Sequence, residues 1–282
     1  MSNYGNLYSQ RQGTVPQNNG AVKIAPHEKM RRVSIFKILK RVINLEKLFI
    51  ESLKKFGLEI NKNQLKQFEQ YKNLLIEWNE KINLTRIIEP EKIYIEHFLD
   101  SLTVLNYCDK NVKSIIDIGT GAGFPGIPLK ILNPDFNVTL VDSTNKKVNF
   151  LNEVINELGL ENIRAIHGRA EEMSREKIHR ERYDLCVSRA VANLKVLSEL
   201  CIPFVKKDDP TGQFICLKGP KIHEELGDAE NIIPILGGKL KSVNNLSLPN
   251  SHDNYYVVII DKIKNTPEKY PRAMKTILNS SN

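Results

Sequence analysis

The stretch DIGTGAGFPGIP, residues 117–128, constrains the fold of this 282-residue chain more than any other feature. It follows the apolar run SII and precedes the run LKIL, which predicts a buried strand, a tight turn and a helix in succession. Gly121, Gly123 and Gly126 also match G-x-G-x-x-G, the fingerprint of a dinucleotide-binding βαβ unit. The stretch therefore predicts an α/β fold with a ligand at the carboxyl end of this strand.

After residue 112, short β-branched runs alternate with helical patterns. The predicted parallel strands lie in SIIDIG, NVTLVDS, NIRAIHG, YDLCVS and QFICLKG. A helix predicted over 145–158 has Gly159 just beyond its C-terminal end. The last two runs, KLKSVNNLSLP and NYYVVIID, are joined by a loop too short for a helical crossover. We predict a mostly parallel, Rossmann-like sheet of seven strands that ends in an antiparallel hairpin.

Helical patterns precede this sheet. Residues 65–82 place apolar side chains three to four positions apart, and a second pattern runs from residue 91 to about 107. We therefore predict a chain with a basic extension (1–45), a small helical segment that packs on the core (46–110), the α/β domain (111–265) and a C-terminal tail (266–282).

The formal net charge of +8 is concentrated in the basic extension. Residues 1–45 hold eight basic residues and one acidic residue, whereas the remaining 33 basic and 32 acidic side chains nearly balance. The net charge of the whole chain is therefore no evidence that the folded part binds RNA. Residues 29–45 show the pattern of a basic amphipathic helix. The extension fits a solvated tail, an organellar targeting peptide or an RNA-docking arm.

The sequence lacks the features of an exported or membrane protein. No apolar run approaches the roughly 20 residues that span a bilayer, and the N-terminal residues lack the apolar region of a secretory signal. The four cysteines are widely spaced with no C-x-x-C pair, so we expect reduced thiols and no bound metal. We predict a monomeric cytoplasmic protein that does not bind membranes, with an organelle as the alternative location.

Asp117 helps to choose between two ligands for the glycine-rich loop. A dinucleotide brings a doubly negative pyrophosphate to such a loop, and a carboxylate at the strand end would repel it. S-adenosylmethionine carries an ammonium and a sulfonium instead, so an acidic strand end favours this cofactor. The alternative for Asp117 is a solvated strand terminus or a helix cap. Asp142, which closes the second strand, can accept hydrogen bonds from the ribose of either ligand.

Residues after the second and third strands are candidates for the adenine end of the ligand. Ser143 and Thr144 start a helix, where they line the adenine edge or cap the helix. Ala170 and Glu171 follow the third strand. Glu171 is either an acceptor for the exocyclic amine of adenine or an acidic residue on the surface.

Arg189 and Lys218 each follow a strand at the ligand edge of the sheet. They are candidates to position a phosphate or the O6 edge of guanine, and the alternative is a structural surface cation at either position. The sequence around Arg189 lacks the Pro-Pro-aromatic signature of amino methyltransferases, and no Pro-Cys pair is present to attack a pyrimidine. A nucleophile with a free lone pair, such as guanine N7, needs no general base, so we assign no catalytic base.

Several short motifs occur between about residues 60 and 272: WNEKINLT, HFLDSL, DIGTGAGFPGIPLKI, VDSTNKKVNFL, GRAEE, SRAVA, CLKG and KYPR. In this order they resemble the small-subunit rRNA guanine-N7 methyltransferases once called glucose-inhibited division protein B. The resemblance implies a class I S-adenosylmethionine-dependent methyltransferase fold. It also implies methyl transfer to N7 of a guanine in the 530 loop of 16S-type rRNA. The implied partner is small-subunit rRNA or an assembling small ribosomal subunit.

The resemblance also implies a set of cofactor-binding residues. The family positions that match are Gly119, Phe124, Asp142, Ser143, Thr144, Ala170, Glu171 and Arg189. Reasoning from the residues adds Asp117 and Gly121. The resemblance gives Phe124 a role as a wall beside the sulfonium, whereas the loop pattern alone predicts a core residue there. His97 and Asp100 lie three apart in HFLDSL, and we expect them to pack or to cap a helix.

The chain departs from the family at its C-terminal end. KYPR continues there with a Gly/Pro/Lys-rich tail in the family, whereas AMKTILNSSN follows it here. The alternative functions are a class I methyltransferase that acts on another RNA or on a small molecule, an NAD(P)-dependent oxidoreductase, and a non-catalytic RNA-binding module.

Overall fold

The computed structural model of the protein describes residues 45–189, 191–207, 212–249, 251 and 254–279. The basic extension predicted for residues 1–45 lies outside the described residues, apart from its last residue.

The predicted seven-stranded sheet is confirmed, with the strand order β3-β2-β1-β4-β5-β7-β6. Its strands are β1 (Ser114–Ile118), β2 (Asn137–Asp142), β3 (Ile163–His167), β4 (Leu185–Arg189), β5 (Gln213–Lys218), β6 (Gly238–Leu246) and β7 (Tyr255–Lys262). The strands from β3 to β5 pair in parallel, and β7 lies antiparallel between β5 and β6. The strand order reverses between β1 and β4, which is where such sheets form a ligand crevice.

Helices cover both faces of the sheet. They are α1 (45–55), α2 (Lys62–Ile82), α3 (Pro90–Lys92), α4 (Asp100–Leu102), α5 (Gly126–Leu132), α6 (Asn145–Glu157), α7 (Ala170–Met173), α8 (Leu194–Cys201), α9 (Ile222–Ala229), α10 (Ile232–Ile235) and α11 (Met274–Asn279). The helix predicted over 145–158 is confirmed as α6, and Gly159 beyond it has φ +60°. None of the helices in the described part of the chain is both long enough and apolar enough to cross a bilayer.

Residues of each strand alternate between two buried clusters. Ile115 of β1 belongs to the cluster that includes residues of α2, α5 and α6. Ile116 and Ile118 belong to the opposite cluster, which includes residues of α8, α9 and α10. Because successive side chains of a strand point to opposite faces, Asp117 lies on the α5 side of the sheet.

Helix α2 packs against the glycine-rich loop. It begins with a capping box, in which Asn61 and Gln64 exchange side-chain and backbone hydrogen bonds. The side-chain amide of Gln64 also donates to the carbonyls of Ile131 and Leu132 at the end of α5. The buried Tyr71 hydroxyl donates to the carbonyl of Ala122 within the loop. The helical segment before the sheet therefore helps to hold the loop in place.

The helical pattern from residue 91 to about 107 is interrupted by a π-helical segment, Ile93–Leu99. An α-helix would pair the Asp100 N–H with the carbonyl of Glu96, but this N–H donates to Ile95 and His97 instead. The carbonyl of Glu96 accepts a hydrogen bond from Arg189. The local change of helix type thus gives a strand residue access to the helix backbone, as π-helical turns near functional sites often do.

Candidate active site

The glycine-rich loop forms the turn between β1 and α5. Gly119 has φ +68°, a conformation that residues with a Cβ rarely adopt. At Gly126 the constraint is space, since a Cβ there would lie 2.3 Å from Leu140 Cδ2 and 2.9 Å from Asp117 Oδ2. Gly119 is therefore required by its backbone conformation, and Gly126 by the close packing of the loop on β1 and β2.

Asp117 lies beneath this loop with 0% of its surface exposed. Its Oδ2 atom accepts hydrogen bonds from the Thr120 hydroxyl at 2.6 Å and from the Gly126 N–H at 2.8 Å. Its Oδ1 atom is buried without a hydrogen-bond partner in the structure. Burial raises the pKa of Asp117 to about 7. The carboxylate holds the loop, and its predicted direct contact with a cofactor stays a prediction.

A cavity of about 140 Å³, here called the first cavity, opens at the carboxyl ends of β1 and β2. Its lining residues are Ile118, Gly119, Val141, Asp142, Ser143, Gly168, Arg169, Ala170, Glu171, Val191, Leu200 and Met274. Five of the predicted cofactor residues therefore meet in one cavity: Gly119, Asp142, Ser143, Ala170 and Glu171. The walls combine apolar side chains with two carboxylates, which suits an adenosine group with its flat base and hydroxylated ribose.

Asp142 is the best-positioned polar residue of the first cavity. One carboxylate oxygen accepts from the Gly121 N–H at 3.0 Å, and the other accepts from the Thr144 N–H at 2.8 Å. Each oxygen has two lone pairs, so the carboxylate can accept further hydrogen bonds from ribose hydroxyls. Gly121 and Thr144, both predicted cofactor residues, do not line the first cavity and contribute instead by holding Asp142.

Arg189 is the centre of a buried cluster beside the first cavity. Its Nη1 atom donates to the Glu96 carbonyl and to Asp100 Oδ2, both at 3.0 Å, and its Nη2 atom donates to His97 Nδ1 at 3.0 Å. Its guanidinium carbon lies 4.7 Å from the centroid of the Phe124 ring, which stacks on the His97 ring. The side chain of Arg189 is only 14% exposed, so it is not a free surface cation. The predicted role of Phe124 beside the sulfonium stays a prediction.

The contacts of His97 define its protonation. Arginine only donates hydrogen bonds, so Nδ1 of His97 is the acceptor and the ring proton lies on Nε2. Nε2 then donates to the Thr85 hydroxyl at 2.8 Å. Burial and the charge of Arg189 lower the pKa of His97 to about 3. The imidazole is therefore neutral near pH 7, with both nitrogens engaged.

We expect this neutral histidine to make folding less favourable in acid. The unfolded chain takes up a proton near the ordinary pKa of 6.5, whereas the folded state does so only near 3. The contribution of His97 to the free energy of unfolding should therefore fall as the pH falls through this range, by about 2 kcal/mol between pH 7 and pH 5, whereas Asp117, whose pKa is raised by burial, contributes in the opposite direction. Urea unfolding of the wild type and of His97→Gln at both pH values measures this loss. An equal loss in the two proteins would contradict the assignment.

A second cavity of about 560 Å³ lies next to the Arg189 cluster. Its lining residues are Ile87, His97, Asp100, Arg189, Leu217, Lys218, Gly219, Pro220, Lys221, Glu225 and Tyr255. Both predicted positioning residues, Arg189 and Lys218, line this cavity and not the first one. Apolar and aromatic walls with a polar end suit a flat, hydrogen-bonding group such as a nucleobase.

The ammonium of Lys218 is paired with another residue of the second cavity. It lies 2.5 Å from Glu225 Oε2 and donates to the Ala192 carbonyl at 2.7 Å. The same Glu225 oxygen accepts from the Leu194 N–H at 2.6 Å. Lys218 and Glu225 together therefore hold the segment that connects β4 to α8. Binding of an RNA phosphate by Lys218 stays a prediction.

This β4–α8 connection lies between the two cavities. Arg189, before it, lines the second cavity, and Val191, within it, lines the first. Val191 packs directly on the glycine-rich loop, because a Cβ at Gly119 would lie 2.4 Å from Val191 Cγ2.

Sequence reasoning did not assign several residues of the two cavities. Ile87, Tyr255 and Met274 are apolar residues far apart in the chain, and no local motif distinguishes them from core residues. His97 and Asp100 were expected to pack or cap, yet both contact Arg189 and line the second cavity. The sequence signal for their shared role was that both residues occur in the motif HFLDSL.

The strand order, the glycine-rich loop after β1 and the acidic residue that ends β2 together define a class I S-adenosylmethionine-dependent methyltransferase. Within that class, the chain belongs to the rRNA small subunit methyltransferase G family, whose profile matches residues 64–253. The predicted fold and family are thereby confirmed. The protein is a methyltransferase of small-subunit rRNA.

Two relatives of known name agree with this assignment. The chain is 54% identical to ribosomal RNA small subunit methyltransferase G of Desulforamulus reducens, over 79% of this chain and 92% of the relative. It is 52% identical to the protein of the same name from Clostridium perfringens strain 13, over 77% of this chain and 90% of the relative. Among solved structures, it is similar to TrmN from Thermus thermophilus, with 19% identity, a TM-score of 0.46, and 58% of this chain and 48% of that chain covered.

Proposed function

We propose that the protein transfers the methyl group of S-adenosylmethionine to N7 of a guanine in the 530 loop of 16S-type rRNA. The adenosine part of the cofactor occupies the first cavity, and the guanine occupies the second. The β4–α8 connection lies between them, where the methyl group is transferred. The substrate is the small-subunit rRNA, either free or in an assembling particle.

The residues of the first cavity fit the cofactor. Asp142 accepts hydrogen bonds from the ribose hydroxyls, and Glu171 accepts one from the exocyclic amine of adenine. The apolar side chains of Ile118, Val141 and Leu200 exclude water from the base. The bound cofactor supplies an electrophilic methyl group on a positively charged sulfur. The protein residues bind and orient it.

The main support for the proposal comes from the hydrogen bonds and ion pairs of the titratable groups in the second cavity. Both nitrogens of His97 are engaged in hydrogen bonds. Asp100 is paired with Arg189, and Glu225 is paired with Lys218, so a cation already engages each carboxylate. Such a cavity is unsuited to a methyl acceptor that must lose a proton before it reacts. Guanine N7 has a free lone pair and needs only to be positioned.

The identity of the methylated atom tests the proposal. Purified protein is incubated with labelled S-adenosylmethionine and either small subunits or protein-free 16S rRNA. The RNA is then reduced and treated with aniline, which cleaves the chain at N7-methylguanine. We expect one cleavage, in the 530 loop. Asp142→Ala serves as the control that separates enzymatic from background labelling.

A different labelled product in this assay would identify one of the alternative functions. Label in another base or in another RNA would replace the proposed function by the related methyltransferase functions. The predicted cytoplasmic location and monomeric state stay predictions.

A further inference from the structure

The residues that follow β7, here called the C-terminal strap (264–279), are fixed to the rest of the protein by polar contacts. The Thr266 N–H donates to Glu181 Oε1 at 2.7 Å, and the Thr266 hydroxyl donates to the Leu236 carbonyl at 2.7 Å. Arg180 donates to the carbonyls of Thr266, Pro267 and Tyr270. A segment held by this many side-chain contacts has a defined position.

An ion pair between a buried glutamate and a half-buried arginine fixes the strap next to α8. Glu199 of α8 is 1% exposed. Its Oε1 atom accepts from the Arg272 backbone N–H at 2.7 Å and from Arg272 Nε at 2.9 Å, and its Oε2 atom accepts from Arg272 Nη2 at 2.7 Å. This is a bidentate arrangement, which gives geometric specificity as well as strength. Arg272 belongs to the KYPR motif, so this motif has an intramolecular partner.

Met274 lies two residues after this anchor and lines the first cavity. Leu200, the neighbour of Glu199, lines the same cavity. Ile277, on the same helix as Met274, is 1% exposed and belongs to the buried cluster on this face of the sheet. Helices α8 and α11 therefore contribute adjacent parts of one cavity wall, and the Arg272–Glu199 pair links them.

We propose that Met274 packs against the adenosine of the cofactor, and that Arg272 and Glu199 are positioning residues that hold it there. The inference rests on the proposed function, in which the first cavity binds adenosine. A thioether is polarisable and packs favourably against aromatic rings, which suits a wall facing adenine. The C-terminal strap is then part of the cofactor site, although its sequence departs from the family tail.

Calorimetric titration of the full chain with S-adenosylhomocysteine tests the role of Met274. Met274→Ala should bind about two- to tenfold more weakly, since one sulfur–aromatic contact is lost. Met274→Leu conserves volume but lacks the sulfur, so its affinity should lie between those of the wild type and Met274→Ala. Leu278→Ala truncates an apolar side chain on the same helix that is 48% exposed, and it should bind like the wild type.

Arg272→Lys tests the anchor, because lysine keeps the charge but cannot form the bidentate contact. We expect a higher KM for S-adenosylmethionine, with the KM for rRNA and the kcat at saturating cofactor unchanged. Circular dichroism confirms that each variant is folded. Wild-type affinity in folded Met274→Ala, or an effect on the KM for rRNA alone, would overturn this inference. Failure of the wild type to bind S-adenosylhomocysteine would overturn the proposed cofactor site as well.

Discussion

Arg189→Ala is expected to abolish methyl transfer and to lower the free energy of unfolding by about 3–5 kcal/mol. The substitution leaves the carboxylate of Asp100, which is 3% exposed, without its cation. It also removes the donors to His97 and to the Glu96 carbonyl, so the π-helical segment loses its link to β4. Urea unfolding and single-turnover methyl transfer to small subunits measure the two effects.

A second variant separates the loss of stability from the loss of activity. In Arg189→Met combined with Asp100→Leu, no buried charge is left unpaired, and most of the stability should return. Activity should not return, because the polar end of the second cavity is then missing. Arg164→Ala is the matched control, since Arg164 is an exposed strand arginine. If Arg189→Ala unfolds at the same urea concentration as the wild type, the stability of the protein does not depend on the Arg189–Asp100 ion pair.

Asp142→Ala should weaken binding of S-adenosylhomocysteine by roughly ten- to hundredfold. The removal of a charged hydrogen-bond acceptor costs about 1.5–3 kcal/mol, and here the ribose loses that acceptor. The N–H groups of Gly121 and Thr144 lose it as well, so the loop becomes less well positioned. Calorimetry measures the affinity directly, without dependence on the RNA substrate.

Asp135→Ala is the control for this substitution. Asp135 is exposed and lies just before β2, at the opposite end of the same strand. Its removal should leave both cofactor affinity and stability close to the wild type. Unchanged binding in folded Asp142→Ala would remove Asp142 from the cofactor site.

The first cavity was largely predictable because its signals are local. Glycines encode the turn after β1, Asp142 ends a predicted strand, and Glu171 follows another by a few positions. The strand ends of a parallel sheet meet at one edge, so residues at those positions come together whatever the details of packing. Asp117 was harder to place, since its role depends on which face of β1 packs on α5.

The second cavity was less predictable because it depends on partners that lie far apart in the chain. The pattern over 91–107 predicted a helix, but the period of 3.6 residues carries no sign of a π-helical turn. Arg189 and Lys218 were correctly placed at the crevice edge, yet their ion pairs with Asp100 and Glu225 follow only from tertiary structure.

The walls of the first cavity come from widely separated parts of the chain, from Ile118 to Met274. When strands β1 to β5 have emerged from the ribosome during synthesis, most of the sheet is present. The first cavity is not yet complete. The wall that carries Met274 forms only when the residues after β7 have emerged. Full cofactor affinity should therefore be absent from a nascent or truncated chain that stops before Met274.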